Sequence, residues 1–238
     1  MRTGIITYDY AHLKTEQLVC RYIQNEKISE INLYALPFIP RTERAVVLPH
    51  RPNMTHAVPT ESLSELSKVN FQKWDGKEDI SEFNDIFVIG GAGIIDIAFA
   101  KGKPIVNAHP GIIPLTRGLD SFKWAIYNND PVGNTLHLID NDVDKGEILQ
   151  IEYTPVFLSD SIETLARRHY EREIDMLANV LDVIDRRVMP NDKEKPATMR
   201  MNAEIEAEMI RKFEACKGDG IKKFLPTEKD KLKDAKYW

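Results

Sequence analysis

An asparagine and a histidine stand two residues apart in Asn107-Ala108-His109-Pro110-Gly111, where an apolar run gives way to a turn. If the run is a strand, both side chains leave it on the same face and can reach one ligand. A neutral histidine can take or give a proton near pH 7, and an asparagine amide can donate to a developing oxyanion. The same pattern is also typical of a turn beside a packed core histidine. The two residues alone leave both interpretations open.

A third candidate group lies in the acidic turn of residues 140–146, which ends in Gly146 and follows the apolar segment containing His137. One of its carboxylates could orient an imidazole or hold a water for proton transfer. A hydrated surface turn is the plain alternative. The alternating Asp140, Asp142 and Asp144 also resemble a calcium loop, but the EF-hand pattern needs a glycine at its sixth position and a glutamate at its twelfth, where Ile151 stands.

A long irregular stretch is predicted between two strands, because prolines interrupt the chain at positions 37, 40, 49, 52 and 59. It carries five basic or imidazole side chains: Arg41, Arg44, His50, Arg51 and His56. Long ordered loops are often functional, and the guanidinium of Arg44 or Arg51 has the fork geometry that suits phosphate oxygens. Solvated surface charge is the alternative.

The strands and helices that would position these groups can be predicted from the sequence. Their pattern indicates an α/β fold with a mostly parallel, twisted sheet and helices on both faces. Residues 85–90 form a β-branched run without alternation, which indicates a strand buried on both faces. Further strands are predicted at 5–7, 31–36, 103–107, 134–139 and 147–157, and helices at 13–23, 62–69, 121–127, 160–184 and 203–215. Ser62 and Glu65 have the spacing of a capping box. In such sheets ligands bind outside the carboxyl ends of the strands, where Asn107 and His109 lie.

Composition restricts the function classes. The 238 residues are 42% hydrophobic and 29% charged, as in a folded globular protein. A net charge of -5 disfavours bulk binding to nucleic acid, and two distant cysteines, Cys20 and Cys216, indicate neither a zinc site nor a redox pair. No secretory signal is apparent, and the apolar run 86–100 is shorter than the roughly 20 residues that span a bilayer. We therefore expect a cytoplasmic location without a membrane partner.

Several catalytic and cofactor motifs do not occur in the sequence. The phosphate-loop pattern, the G-x-S-x-G elbow and the H-E-x-x-H zinc pattern are missing, and Gly90-Gly91-Ala92-Gly93 lacks the full dinucleotide fingerprint. These glycines instead favour a tight turn or a close approach of the backbone to a flat ligand. Composition changes beyond residue 190 to dense mixed charge. We therefore expect a catalytic domain over residues 1–190 and a charged appendage over residues 191–238.

The block from Asn107 to Gly118, Asn-Ala-His-Pro-Gly-Ile-Ile-Pro-Leu-Thr-Arg-Gly, closely resembles the signature of the 10-formyltetrahydrofolate-dependent formyltransferases. The resemblance extends to Asp144-Lys145-Gly146-Glu147-Ile148 and to Glu163-Thr164-Leu165, in the order found in that family. It implies a Rossmann-like formyltransferase fold, N10-formyltetrahydrofolate as formyl donor and no metal.

The resemblance also implies roles for individual residues. The catalytic residues would be Asn107, His109 and Asp144. The donor would lie along two backbone segments, contacting Gly91, Gly93, Ile94, Ile95, Ile139, Asp140, Asn141 and Asp142. Separately from these roles, we expect the acceptor to contact Tyr8, Tyr10, Arg44, Arg51, Arg117 and Trp124.

The range of possible acceptors is limited by two places where the chain differs from other formyltransferases. The turn Tyr8-Asp9-Tyr10-Ala11-His12 has no glycine, unlike the phosphate loop of enzymes acting on glycinamide ribonucleotide. The 48 residues after Pro190 hold 12 Lys and Arg against 10 Asp and Glu, too nearly neutral for a tRNA-binding domain. The chain is most similar to the sugar N-formyltransferases, also over Gly118-Leu119-Asp120-Ser121-Phe122-Lys123-Trp124.

This similarity implies a nucleotide-linked acceptor, such as a GDP- or dTDP-4-amino-4,6-dideoxyhexose, destined for surface polysaccharide such as O-antigen. The alternatives are a formyltetrahydrofolate hydrolase, an enzyme like methionyl-tRNA formyltransferase, and a non-catalytic folate or nucleotide binding module. The charged appendage could supply a homodimer contact, and the oligomeric state stays open.

Overall fold

The computed structural model describes residues 1–38, 45–140, 146–189 and 194–216. In these ranges seven strands form one sheet: β1 (Arg2–Tyr8), β2 (Glu30–Leu36), β3 (Val69–Lys73), β4 (Ile86–Ile89), β5 (Ile105–His109), β6 (Gly133–Leu138) and β7 (Ile148–Tyr153). The α-helices are α1 (Leu13–Ile23), α2 (Ser121–Asn128), α3 (Ile162–Ala178) and α4 (Ala203–Cys216). Short 3-10 turns occur at Thr60–Glu65, Ser81–Phe83, Ile97–Ala100 and Val180–Asp182.

The strands lie in the order β3-β2-β1-β4-β5-β6-β7. The first five run parallel to one another, whereas β6 is antiparallel to both β5 and β7. The chain builds outward from β1 through β2 to β3 and then returns to add β4 on the other side of β1. Such a reversal of strand order opens a crevice at the carboxyl ends of the strands, and it lies here between β1 and β4.

Each face of the sheet is covered by a different layer. Helices α1 and α3 pack on one face, where Leu18 and Leu177 join strand residues such as Val106 in one buried cluster. The opposite face buries Ile6 and Ile105 against the aromatic side chains of Trp74, Phe87 and Phe99, and its helical cover consists of 3-10 turns. The mostly parallel sheet predicted from the sequence is therefore confirmed.

Two local predictions were wrong. The strand β3 was missed because it lies at the sheet edge and offers only Val69 and Phe71 as apolar residues. The capping box at Ser62 does not form, since the turn there is a 3-10 helix that begins at Thr60 after Pro59 and has no side-chain cap. The other predicted elements are found, most of them with shifted ends. The last strand ends at Tyr153 instead of residue 157, and α3 ends at Ala178 instead of residue 184.

Helix α4, which follows the boundary predicted at residue 190, packs against α2. Met209 and Phe213 of α4 are buried in the same cluster as Phe122 and Ile126 of α2. Residue 190 itself lies outside the described residues, so the division into a catalytic domain and an appendage stays a prediction. The described part of that appendage nevertheless contributes to the packed interior.

Candidate active site

Asn107 and His109 lie on one face of β5, as the i and i+2 spacing predicts. Ile105, two residues before Asn107, is buried on the second face of the sheet, whereas Val106 is buried on the first. On the antiparallel neighbour β6, His137 lies opposite Asn107 and Thr135 lies opposite His109. The Asn107 Nδ2 and His137 Nε2 atoms are 3.4 Å apart. Four polar side chains thus line adjacent strands at the carboxyl end of β5.

The His109 ring is buried and held from one side by the turn that follows it. Its Nε2 atom is 2.9 Å from the carbonyl oxygen of Thr116 and 3.1 Å from Ser121 Oγ. A carbonyl oxygen only accepts, so Nε2 carries a hydrogen, and whenever the ring is neutral Nδ1 is its acceptor nitrogen. The turn therefore fixes both the orientation and the tautomer of His109.

The turn itself depends on Gly111 and Thr116. The Thr116 hydroxyl accepts a hydrogen bond from the Ile112 amide at 2.8 Å, and the Thr116 amide donates to the Ile112 carbonyl at 2.7 Å. A Cβ atom at Gly111 would stand 2.5 Å from the Thr116 carbonyl oxygen and 2.8 Å from His109 Nε2. A side chain at position 111 would therefore displace the histidine, which explains the glycine.

Thr135 joins the turn to β6. Its hydroxyl donates to the Gly111 carbonyl at 2.7 Å and accepts from the Ile113 amide at 3.0 Å. Both the donor and the acceptor of the hydroxyl are therefore used, and the residue is buried. This contact positions the turn with respect to the strand that faces His109.

The predicted donor segments are described in part. The Gly90 and Gly91 amides both donate to the Ile6 carbonyl, and the loop then leaves Gly93 in open space, with no atom within 4 Å of a built Cβ. Ile94 is 93% exposed. Ile95 and Ile139 are partly buried against the same cluster on the second face, so the structure brings the two predicted segments together.

The acidic turn lies mostly outside the described residues. Asp140 is described and exposed. Asn141, Asp142 and the predicted catalytic Asp144 lie outside the described residues, as does the possible calcium loop that they would form. Their assignments stay predictions. Among the residues that the structure does describe, no group of three or more His, Cys, Asp or Glu side chains could hold a metal ion.

An aromatic cluster follows β1 at the crevice between β1 and β4. The Tyr8 ring lies 5.6 Å from that of Tyr10 and 5.5 Å from that of Phe38, and the Tyr10 and Phe38 rings are 4.3 Å apart. A Cβ atom at Gly91 would stand 2.6 Å from His12 Cε1 and 2.9 Å from Tyr8 Cε2. The first turn of the chain and the predicted donor loop are thus in direct contact.

A buried carboxylate with two cations lies on the α1 and α3 side of the sheet. Glu173 Oε1 is 2.8 Å from Lys14 Nζ, and Glu173 Oε2 is 2.7 Å from Arg51 Nη2. Burial alone would raise the pKa of Glu173, but the charges of Arg51 and Lys14 lower it to about 2. The three groups leave one positive charge in excess. Arg51 is 30% exposed and lines a cavity of about 340 Å³, so that an anion can approach it.

Three histidines around this cluster are neutral at pH 7. Burial is the main cause in each case, and it lowers the pKa of His12 to about 4, of His50 to about 3 and of His169 to about 4. The positive charge of Arg51 lowers all three further. His50 and His169 each pack against the ring of Phe122, with ring centroids 5.9 Å and 4.9 Å from it.

Two predicted acceptor residues, Arg117 and Trp124, contact the C-terminal segment, and their role in acceptor binding stays a prediction. Arg117 is buried, and its Nη2 donates to Glu194 Oε1 at 2.8 Å and to the Lys195 carbonyl at 3.1 Å. Trp124 Nε1 donates to the Met199 carbonyl at 2.7 Å. Arg117 also lines a cavity of about 390 Å³ to which neither Asn107 nor His109 contributes. Both side chains therefore hold residues 194–199 in place. Arg44 lies outside the described residues.

Sequence reasoning missed Lys14 and Glu173, although the sequence held a signal for both. Glu173 stands three residues after Tyr170 and four before Leu177, both of which belong to the apolar side of α3. Lys14 stands four residues before the buried Leu18 in α1. A charged side chain on an apolar helix face must find a buried partner or a ligand.

A comparison with protein families identifies the central part of the chain. Residues 94–181, which include Asn107, His109 and the turn between them and α2, match the model described as Formyl transferase. Over these residues the chain is similar to the formyl transferase family. The resemblance predicted from the sequence is thereby confirmed.

The relatives include two kinds of formyltransferase. The chain is 26% identical over 182 residues to a methionyl-tRNA formyltransferase from Ehrlichia canis, covering 74% of this chain and 59% of that protein. It is 35% identical over 78 residues to a phosphoribosylglycinamide formyltransferase from Haemophilus influenzae, covering 32% of this chain and 37% of that protein. The chain thus spans less than two thirds of the length of either formyltransferase.

A solved formyltransferase has the same fold. The N-formyltransferase from Helicobacter canadensis, solved in complex with folinic acid and dTDP-3-aminofucose, superposes with a TM-score of 0.60. The alignment covers 90% of this chain and 80% of that one at 15% identity. The predicted Rossmann-like formyltransferase fold is confirmed. In the described parts of the chain, no helix combines the length and apolar character needed to cross a membrane.

Proposed function

We propose that this protein transfers the formyl group of N10-formyltetrahydrofolate to the amine of a nucleotide-linked amino-deoxy sugar. The observation that carries the proposal is the placement of Asn107 and His109. They share a face at the carboxyl end of β5, inside the segment that matches the formyl transferase family. The folinic acid in the Helicobacter canadensis complex supports a folate donor.

The residues suit an acyl transfer to an amine. As the amine attacks the formyl carbon, a carbon–nitrogen bond forms and negative charge develops on the formyl oxygen. The Asn107 amide is a donor for this oxyanion, and His109, with its tautomer fixed by Thr116, is a polar group beside it. The bond to N10 then breaks, the amine loses a proton and N10 gains one. The family resemblance assigns the relay of this proton to Asp144.

The proposed acceptor rests on charge and aromatic surface near the crevice. The excess positive charge at Arg51 and Lys14 suits a phosphate group, and Arg51 borders an open cavity. The rings of Tyr8, Tyr10 and Phe38 offer apolar faces to a sugar or a base. The dTDP-linked amino sugar in the Helicobacter canadensis complex supports the same class of acceptor. We place the reaction in the cytoplasm, in the assembly of surface polysaccharide such as O-antigen.

A second candidate is formylation of methionyl-tRNA. It is favoured by the Ehrlichia canis relative, whose alignment covers 74% of this chain. The net charge of -5 and the nearly neutral C-terminal segment speak against a nucleic-acid acceptor.

The test is a panel of acceptors incubated with the donor, with donor absorbance and product mass as readouts. The panel contains GDP- and dTDP-linked 4-amino-4,6-dideoxyhexoses, a dTDP-linked 3-amino sugar, methionyl-tRNA and glycinamide ribonucleotide. The amine-free sugar nucleotides are controls. We expect formylation of an amino sugar nucleotide only. Formate release without any amine would instead identify a hydrolase, and an unchanged donor throughout would identify a binding module.

Asn107→Ala tests the assigned chemistry within the same assay. Loss of one oxyanion donor costs about 2.7–4 kcal/mol, so turnover should fall by about a hundredfold or more. Asn70→Ala, at the exposed edge of the sheet, is the matched control and should keep the rate. An Asn107→Ala enzyme as fast as this control would contradict the role of Asn107.

A further inference from the structure

Helix α4 contacts the proline-rich loop through a buried carboxylate. Glu206 Oε2 accepts hydrogen bonds from the Val47 amide at 2.6 Å and the Leu48 amide at 3.2 Å. Its other oxygen, Oε1, is 2.6 Å from Lys123 Nζ on α2. The side chains of Glu206 and Lys123 are both 0% exposed. One carboxylate thus joins α4, α2 and the loop segment of residues 45–54, called the strap below.

The Glu206 carboxylate accepts hydrogen bonds from strap amides that have no partner in a helix or strand. Residues 45–54 belong to no helix or strand, so the peptide N–H groups in this segment need other partners. A charged acceptor binds two consecutive N–H groups strongly, and Lys123 compensates its buried charge. An aliphatic residue could pack α4 against α2 without this desolvation cost. The charge is therefore best explained by the position that it gives to the strap.

The strap carries groups that belong to the proposed acceptor site. Leu48 is buried against Phe122 and α4, His50 stacks on Phe122, and Arg51 forms the ion pair with Glu173. Arg51 lies three residues after Leu48, which limits their separation to about 10 Å of chain. A shift of the strap at Leu48 therefore moves Arg51 with respect to Glu173 and Lys14.

We infer that Glu206 is a positioning residue for the acceptor: by fixing the strap at residues 47 and 48, it sets the place of Arg51. This inference rests on the proposed function only in its last step, the binding of the acceptor at Arg51. The position of the strap itself is independent of which reaction the protein performs.

The test compares three variants of the full chain. Glu206→Gln leaves one acceptor oxygen for two sets of donors, so that the amide cannot serve both Lys123 and the strap. Lys123→Met combined with Glu206→Gln removes the competing donor and returns that oxygen to the strap. Met209→Ala, on the same helix, removes buried apolar volume and leaves the bonds to the strap intact.

We expect Glu206→Gln to raise the KM for the acceptor by about tenfold while kcat and the KM for the donor stay within about twofold. In the double variant, the KM for the acceptor should return most of the way to the wild-type value. Met209→Ala should lower the stability of the protein and leave the KM for the acceptor unchanged. Equal KM values in Glu206→Gln and Met209→Ala would overturn the inference, because loss of stability would then explain both.

Hydrogen exchange at the Val47 and Leu48 amides separates this inference from the proposed function. Exchange there should be faster in Glu206→Gln than in Met209→Ala, measured relative to the exchange of the sheet. If the wild-type protein formylates no amine, the proposed function fails, and exchange alone decides the role of Glu206. Unchanged exchange in Glu206→Gln overturns the inference even in an active enzyme.

Discussion

At the scale of single residues, close approach decides how His109 is held. The backbone at Gly111 passes so near to Thr116 and His109 that even a methyl group does not fit. The hydroxyl of Thr116 closes the same turn by accepting from the Ile112 amide. The orientation of the histidine is thus a consequence of steric limits in a short turn and not of the histidine itself.

Gly111→Ala should therefore reduce the proposed formyl transfer more than it destabilises the fold. The added Cβ would lie 2.8 Å from His109 Nε2, so the ring or the Thr116 carbonyl must move. We expect a loss of kcat of at least about tenfold, since small misplacements of catalytic groups are costly. Circular dichroism should report an unchanged fold. A fully active Gly111→Ala enzyme would show that the turn tolerates a side chain and does not set the histidine.

Gly93→Ala offers the opposite case in the predicted donor loop. No atom lies within 4 Å of a Cβ built at Gly93, so the substitution should leave the melting temperature unchanged. If the donor lies against this backbone, the KM for the donor should rise, whereas the KM for the acceptor should not. A donor KM equal to that of wild type would argue against a folate contact at Gly93.

At the scale of elements, buried charges connect segments that the hydrophobic pattern leaves independent. Glu173 joins α3 to Lys14 of α1 and to Arg51 of the strap, and Glu206 joins α4 to α2 and the strap. A buried pair contributes little net stability over an apolar replacement, but the loss of one partner leaves an uncompensated charge. These pairs therefore act mainly on the relative position of the elements.

Glu173→Gln should destabilise the protein strongly, because it leaves Lys14 and Arg51 without a counter-charge. Removal of one partner from a buried ion pair typically costs about 3–5 kcal/mol. Glu171→Gln, on the exposed side of the same helix, is the matched control and should change the free energy of unfolding by less than about 0.5 kcal/mol. Urea unfolding of both variants measures the difference. Similar losses of unfolding free energy in the two variants would mean that the buried cluster contributes no more to stability than an exposed glutamate does.

At the scale of the whole molecule, the interior around α1 and α3 holds three neutral histidines. Their pKa values in the folded state, about 3 to 4, lie below the ordinary value of 6.5 that applies to the unfolded chain. Below pH 6.5 the unfolded chain binds protons that the folded protein does not, so stability falls with falling pH. The contribution of these histidines to stability is fully present above pH 6.5 and is lost progressively down to about pH 4.

The free energy of unfolding should therefore decrease steadily between pH 6.5 and pH 4, before the carboxylate of Glu173 begins to lose its contribution below about pH 4.5. His169→Gln should reduce the slope over this range, because one titrating group is removed. His56→Gln, in an exposed position, should leave the slope as in wild type. Equal slopes in both variants would contradict the burial assigned to His169. Urea titrations at a series of pH values supply the measurement.

The sequence by itself determined the local elements and the shared strand face of Asn107 and His109. The apolar runs of β4 and β5, the periodicity of α3 and α4, and the spacing of Asn107 and His109 are all visible within short segments. The family block from residue 107 to residue 118 is also visible within a short segment, because its residues are consecutive in the sequence. Where local signals were weak, as at the edge strand β3, the prediction failed.

Only the tertiary structure decided which distant groups meet. Arg51 and Glu173 lie 122 residues apart in the sequence, and Val47 and Glu206 lie 159 apart. The antiparallel neighbour β6, which brings His137 opposite Asn107, belongs to the same class of contact. A charged residue on an apolar helix face indicates a buried partner, since burial of an isolated charge is too costly. Its identity depends on how the chain packs as a whole, and no local pattern contains that information.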